Sequence, residues 1–202
     1  MNKISKLSIV KKKNKIKILF FTILISLCSV SWIQEEQQIK GNNFLINEPD
    51  TFQFDTFVIL LNKNLDYLIK CLENGGLKES KNIDDIPFFI RDALNNWTDD
   101  NFSIANPNEE WQSTDIIFDT TLPNRNLLYM GIGENIFLIS YYLGGNIGTS
   151  RHILIIKHEN EKITDFWCGS SLESLDKKLE ILEYIRNNKD KPWGLNTNMI
   201  YF

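Results

Sequence analysis

Residues 127–168 read LLYMGIGENIFLISYYLGGNIGTSRHILIIKHENEKITDFWC, and the alternation of apolar runs with turn residues in this stretch sets the architecture. Four apolar or aromatic runs, at 127–133, 136–143, 152–157 and 163–168, are separated by Gly133-Glu134-Asn135, Gly144-Gly145-Asn146-Ile147-Gly148 and Glu159-Asn160-Glu161. Glycine, asparagine and short polar residues accept positive φ or a solvated backbone at low cost, so the breaks are turns and the runs are strands of an antiparallel meander. The central reversal predicts that Gly144 or Gly145 takes positive φ.

Alternate residues of a strand point to opposite faces. In the second run Ile136, Leu138 and Tyr142 fall on one face and Phe137, Ile139, Tyr141 and Leu143 on the other; in the third, Leu154 and Ile156 oppose Ile153 and Ile155. A half-exposed sheet would alternate apolar with polar, so this one needs cover on both faces. Periodicity supplies it. Phe57, Val58, Leu61, Leu65, Leu68, Ile69 and Leu72 recur at helical spacing over 56–73 before Gly75-Gly76, with Asp55 as a cap. A second helix is expected over 86–95, with Asp84 and Asp85 available to cap it and Pro87 in its first turn. Ser170-Ser171-Leu172-Glu173 has the capping-box order and predicts a third, with Leu172, Leu175, Leu179, Leu182 and Ile185 along one side. Residues 111–119 add a fifth strand candidate. The fold class is therefore α+β: an antiparallel meander of four to five strands covered by two preceding helices and one C-terminal helix.

The chain has 202 residues, 43% hydrophobic and 24% charged, which suits one domain with a terminal appendage; a domain of this size buries roughly 70% of its unfolded surface without needing staples. The appendage is N-terminal. Residues 1–31 hold seven lysines and no acid, and 18–33 run sixteen residues without a charge, the pattern of a signal peptide or membrane anchor. Three fates are open: cleavage after Ser29-Val30-Ser31, retention as an anchor, or lipidation at Cys28, where Leu27 departs from the small residue a lipobox requires. Each leaves the lysines on the cytoplasmic side and exports the rest. Residues 1–33 are read as this leader, 34–50 as a polar linker, and 51–202 as the domain.

The net charge of -4 conceals an asymmetry. Subtracting the seven leader lysines from 22 basic residues leaves 15 against 26 acids, a net of -11 for the rest. An acidic body without clustered Lys and Arg excludes a general nucleic-acid binder, because counterion release needs that cluster.

Candidate chemistry is sparse. His152 and His158 lie on one strand about 20 Å apart at the usual rise per residue, so they cannot share a metal ion. Cys71 and Cys168 form no Cys-x-x-Cys pair, and no zinc-ligand spacing exists. Gly131-Ile132-Gly133 and the glycines at 144–148 lack the lysine and helix of a phosphate loop. Asp115 and Asp119 are about 13 Å apart along a strand, wider than glycosidase pairs. Neither a metal nor a cofactor is called for. What remains is aromatic and charged: Trp111, Asp115, Arg125, Tyr141 and Trp167 lie on or beside the predicted sheet, and Trp, Tyr and Arg are the residues that anchor interfaces. The sequence thus points to an exported, non-enzymatic binding or inhibitory module for a protein or small-molecule partner, membrane-tethered if the leader is kept. The alternative is a small extracytoplasmic hydrolase using carboxylates or Cys168 with His152.

Overall fold

The computed structural model describes residues 54–98, 100–114, 119–145, 148–192 and 194–198, all within one compact unit, Phe52–Phe202. The leader and linker, positions 115–118 of the expected fifth strand, Trp193, Tyr201 and Phe202 lie outside the described residues. Among the described residues no helix is long and apolar enough to cross a membrane.

The meander forms as read. Strands β3 (Arg125–Ile132), β4 (Ile136–Gly145), β5 (Gly148–Glu159) and β6 (Lys162–Ser171) are joined in sequence order, each antiparallel to the next. Two short strands share the outer edge of β3. β1 (Lys78–Ser80) pairs antiparallel with 130–132, and β2 (Ile104–Ala105) pairs parallel with 125–126. The architecture is α+β, with a six-stranded, mainly antiparallel sheet. Between β5 and β6 both turn residues, Asn160 and Glu161, have φ near +50° and +60°, as a two-residue reversal with the right twist demands. In the central hairpin Gly145 pairs with Gly148, and the positive φ (+107°) belongs to Gly148, not to Gly144 or Gly145. Gly144 is needed for a different reason. A Cβ there would lie 2.2 Å from the Gln112 carbonyl oxygen, because the 112–114 segment runs against this end of β4 and bridges Thr114 to Gly145.

Burial on both faces is nearly complete in β4 and β5, where 136–141 and 152–158 are all buried. Helices supply the cover. One face carries Leu138, Ser140, Ile153, Ile155 and Trp167 by register. It is overlaid by α2 (Leu65–Asn74), into which α1 (Thr56–Leu60) leads, and by α4 (Lys178–Asn188); α2 and α4 are tied to each other by Arg186–Glu73 and Lys189–Asp66 ion pairs. Ser140 Oγ donates to the Leu175 carbonyl at 2.8 Å on this face. The opposite face carries Arg125, Tyr141, His152, Leu154, Phe166 and Cys168, and is covered by α3 (Phe88–Trp97), Phe54 and the 100–105 segment. Trp97 packs at 5.1 Å on Phe166, and Phe89 meets His158 edge-on at 4.9 Å.

Three helix expectations change in detail. The helix over 56–73 breaks at 61–64, where Asn62 turns left-handed with φ +57°. Asparagine tolerates that conformation, and the side chains use it. Asn62 Oδ1 accepts from Trp167 Nε1 (2.9 Å), and Asn64 Nδ2 donates to Asp165 Oδ1 (2.8 Å) and the Phe166 carbonyl (2.9 Å). Helix α3 starts two residues late, behind Pro87, because Asn82 caps a separate 3₁₀ turn at Ile83–Asp85. The Ser170-Ser171-Leu172-Glu173 box does not open a helix: β6 runs through Ser171, and α4 begins at Lys178. Leu172 and Leu179 are exposed, and the buried side of α4 is Ile181, Leu182, Tyr184 and Ile185.

Candidate functional site

Two groupings of polar and aromatic residues emerge from the register. The first is interior. Tyr141 on β4 stands opposite His152 on β5, their rings stacked at 5.5 Å and 14°. Leu127, two residues beyond Arg125 on β3, stands opposite Tyr141 and so places Arg125 on the same face. Leu154, two beyond His152, faces Cys168 on β6. Phe102, itself at a left-handed φ of +43°, closes over this row. Its ring lies 4.7 Å from the Arg125 guanidinium and meets Tyr141 edge-on at 5.4 Å. Arg125 Nη1 donates to Asp100 Oδ2 at 2.6 Å and to Asn124 Oδ1 at 2.9 Å. His152 Nε2 is 2.8 Å from Ser150 Oγ, while its buried Nδ1 meets no hydrogen-bond partner among the described residues.

The electrostatics of this row are those of a locked core. Burial drives the His152 pKa down from 6.5 to about 4, with the Arg125 charge adding to it, so the imidazole is neutral at pH 7. Burial also holds the Cys168 thiol well above its ordinary value, against the opposing pull of Arg125. The same desolvation raises Tyr141, helped by Cys168 and opposed by Arg125. For Asp100, burial alone would raise the pKa; the bond and charge of Arg125, with Asn124 and Thr98, more than offset it and leave it lowered. A cysteine nucleophile needs a stabilised thiolate near a cation and partial exposure. Cys168 is 0% exposed and held protonated.

The second grouping is at the surface, on the other face. Tyr142 on β4 stands opposite Arg151 on β5. The Trp111 ring stacks on Tyr142 at 5.9 Å and 14°, and the Arg151 guanidinium lies 5.6 Å from the Tyr142 ring centre. All three are half-buried. Ser174 ties them together: its Oγ is 2.6 Å from the Tyr142 hydroxyl and accepts from Arg151 Nε at 3.1 Å. Arg151 Nη1 donates to the carbonyl of Leu172, whose side chain is 88% exposed. Trp111 reaches this position because the 112–114 segment is seated against Gly144.

The residues singled out in the sequence therefore separate. Arg125 and Tyr141 come together in the interior row. Trp111 joins Tyr142 at the surface, and Trp167 is fully buried on the helix-covered face, with its Nε1 on Asn62. Asp115 lies outside the described residues. Asp119 is exposed and held ionised by Thr121, whose hydroxyl and backbone N–H both donate to it. Tyr142, Arg151 and Leu172 escaped sequence reasoning; the signal that could have found them is hairpin register, since pairing Gly145 with Gly148 places 142 opposite 151. A cleft of about 170 Å³ between Leu60, Asn62 and 194–197 is smaller than the roughly 300 Å³ at which ligand pockets begin. Among the described residues no group of three or more His, Cys, Asp or Glu side chains is placed to hold a metal ion. Comparison with protein-family models, with curated proteins and with solved structures finds no match to this chain.

Proposed function

We propose that this chain is an exported, non-enzymatic binding module, inhibitory when its partner is an enzyme, that holds a partner protein on the surface formed by Trp111, Tyr142, Arg151 and Leu172. The observation that carries the reading is the aromatic–arginine stack, ordered by Ser174 and left half-open to solvent beside an 88% exposed leucine. Tryptophan, tyrosine and arginine dominate interface energetics because they bring large, stiff contact area together with directional donors. Exposed apolar groups clustered with them are the composition of an interface core, not of ordinary surface. Export is supported by the lysine-rich leader, the uncharged run at 18–33 and the acidic remainder. Membrane tethering follows if that run is retained.

The thiol form of the hydrolase reading is weaker on physical grounds. Its thiol is desolvated and protonated, its histidine is neutral and buried, and Arg125 is engaged by Asp100. The test uses the full chain as bait in an extract of its own cells, beside Trp111→Ala and Arg151→Gln variants with unchanged melting temperature. A protein retained by the wild type and lost from both variants supports the proposal. Equal retention by all three overturns it, and labelling of Cys168 in the native protein by an electrophilic thioester probe would favour the hydrolase.

A further inference from the structure

We infer that the partner presents a carboxylate to Arg151, from an acidic side chain in a protein segment whose apolar neighbour lies on Trp111 and Leu172; this rests on the binding surface proposed above. The chain has four arginines. Arg91 pairs with Asp84, Arg125 with Asp100 and Arg186 with Glu73, whereas Arg151 has no carboxylate partner among the described residues. Of the five N–H donors of a guanidinium, Arg151 uses one on Ser174 Oγ and one on the Leu172 carbonyl, both neutral. Among the described residues the rest of the fork meets no acceptor. It is also pre-oriented, because those two bonds and the Tyr142 ring fix the plane of the group, which reduces the entropy lost on binding. A planar fork recognises a carboxylate by two parallel bonds, a geometry that lysine cannot reproduce.

Local charge narrows the choice further. Glu110 and Glu173 are exposed next to Trp111 and Leu172, and the chain beyond the leader is net acidic. A polyanion would be repelled by these acids and would find no cluster of cations to release its counterions. One carboxylate among uncharged neighbours meets no such barrier. The 88% exposed Leu172 favours an apolar side chain beside it over the hydroxyl-rich face of an acidic sugar.

The experiment selects short random peptides, displayed on phage, against the full chain. The enriched peptide and its isosteric amide counterpart, Glu→Gln or Asp→Asn, are then titrated by fluorescence anisotropy against wild type, Arg151→Gln, Arg151→Lys and Trp111→Ala. We expect an acidic residue beside an apolar one, a loss of about tenfold or more on amide exchange with the wild type, and little further loss with Arg151→Gln. Arg151→Lys should restore only part of the affinity, and it carries the test if Arg151→Gln does not fold. If amide exchange costs the same in wild type and Arg151→Gln while Trp111→Ala still abolishes binding, the surface stands and the carboxylate inference fails. If neither Trp111→Ala nor Arg151→Gln affects binding, the surface itself is wrong. Arg151-dependent binding of oligogalacturonate, with no peptide enriched, overturns the inference in favour of acidic sugars.

Discussion

His152 shows how one buried side chain couples folding to pH. Its folded pKa, about 4, lies below the unfolded 6.5, so between these values the unfolded chain binds a proton that the folded one does not. Stability contributed by keeping the ring neutral is therefore complete above pH 6.5 and is lost as pH falls to about 4, by roughly 3 kcal/mol. The groups around the ring are Tyr141, Ser150 and the Arg125 cation. Urea midpoints measured from pH 7 to 4 should fall more steeply for the wild type than for His152→Phe, the difference cancelling the shared contribution of His158; parallel curves would refute it. Cys168, fully buried and held as the thiol, should react with iodoacetamide only after denaturation, whereas half-buried Cys71 should label slowly in the native state. Gly144→Val should cost about 2 kcal/mol, the scale of forced overpacking, because its side chain meets the Gln112 carbonyl. It should also weaken partner binding by displacing Trp111, whereas Gly145→Ala, with nothing closer than 3.5 Å to its Cβ position, should do neither. A melting curve of Gly144→Val that overlays the wild type would show that the 112–114 segment is not held there.

The elements differ in how firmly local sequence holds them. The β5–β6 reversal uses Asn160 and Glu161 at positive φ, and a left-handed glutamate costs about 1 kcal/mol or more relative to glycine in that conformation. Glu161→Gly should accordingly raise stability by about 0.5 kcal/mol after its larger unfolded-state entropy is deducted; a fall in melting temperature would show that Glu161 is held by more than its backbone. The break between α1 and α2 is the opposite case. Nothing in the periodicity of 56–73 announces it, because the apolar residues keep helical spacing across it. The polar partners that hold Asn62 and Asn64, namely Trp167, Thr197, Asp165 and the Phe166 carbonyl, are more than a hundred residues away. Ser170-Ser171-Leu172-Glu173 failed as a capping box for the same kind of reason. The pairing of Ser171 with Arg151 holds this segment in β6, and a sheet register outweighs a local cap.

For the whole molecule, two features argue in the same direction. Among the described residues the sheet is covered on both faces, so its core is closed, and in the proposed reading the half-buried Trp111–Tyr142 stack is what is left for binding. The leader places that domain outside the cytoplasm in the proposed reading. A reporter enzyme active only outside the cytoplasm, fused after Phe202, should work, and an intact cytoplasmic reporter at the same position should not. The reverse pattern would sink the export proposal without touching the binding surface, since the two rest on different residues.

The meander, the places of its three turns though not which glycine of the central one takes positive φ, the two-sided burial of its strands, the presence of helices before and after it, and the charge asymmetry of the chain were all legible in the sequence. These follow from local periodicity and turn chemistry, which act over a few residues. Tertiary structure alone decided which side chains share a site. Arg125 and Tyr141 were legible as candidates, yet their burial beneath Phe102 and their neighbours His152 and Cys168 depend on strand register and on the 100–105 segment closing over them. The surface stack needed more still. Tyr142 and Arg151 meet because the hairpin pairs Gly145 with Gly148, and Trp111 joins them because a distant segment packs against Gly144. A one-residue change in register would send Tyr142 to the other face, and nothing short of the folded sheet fixes that choice.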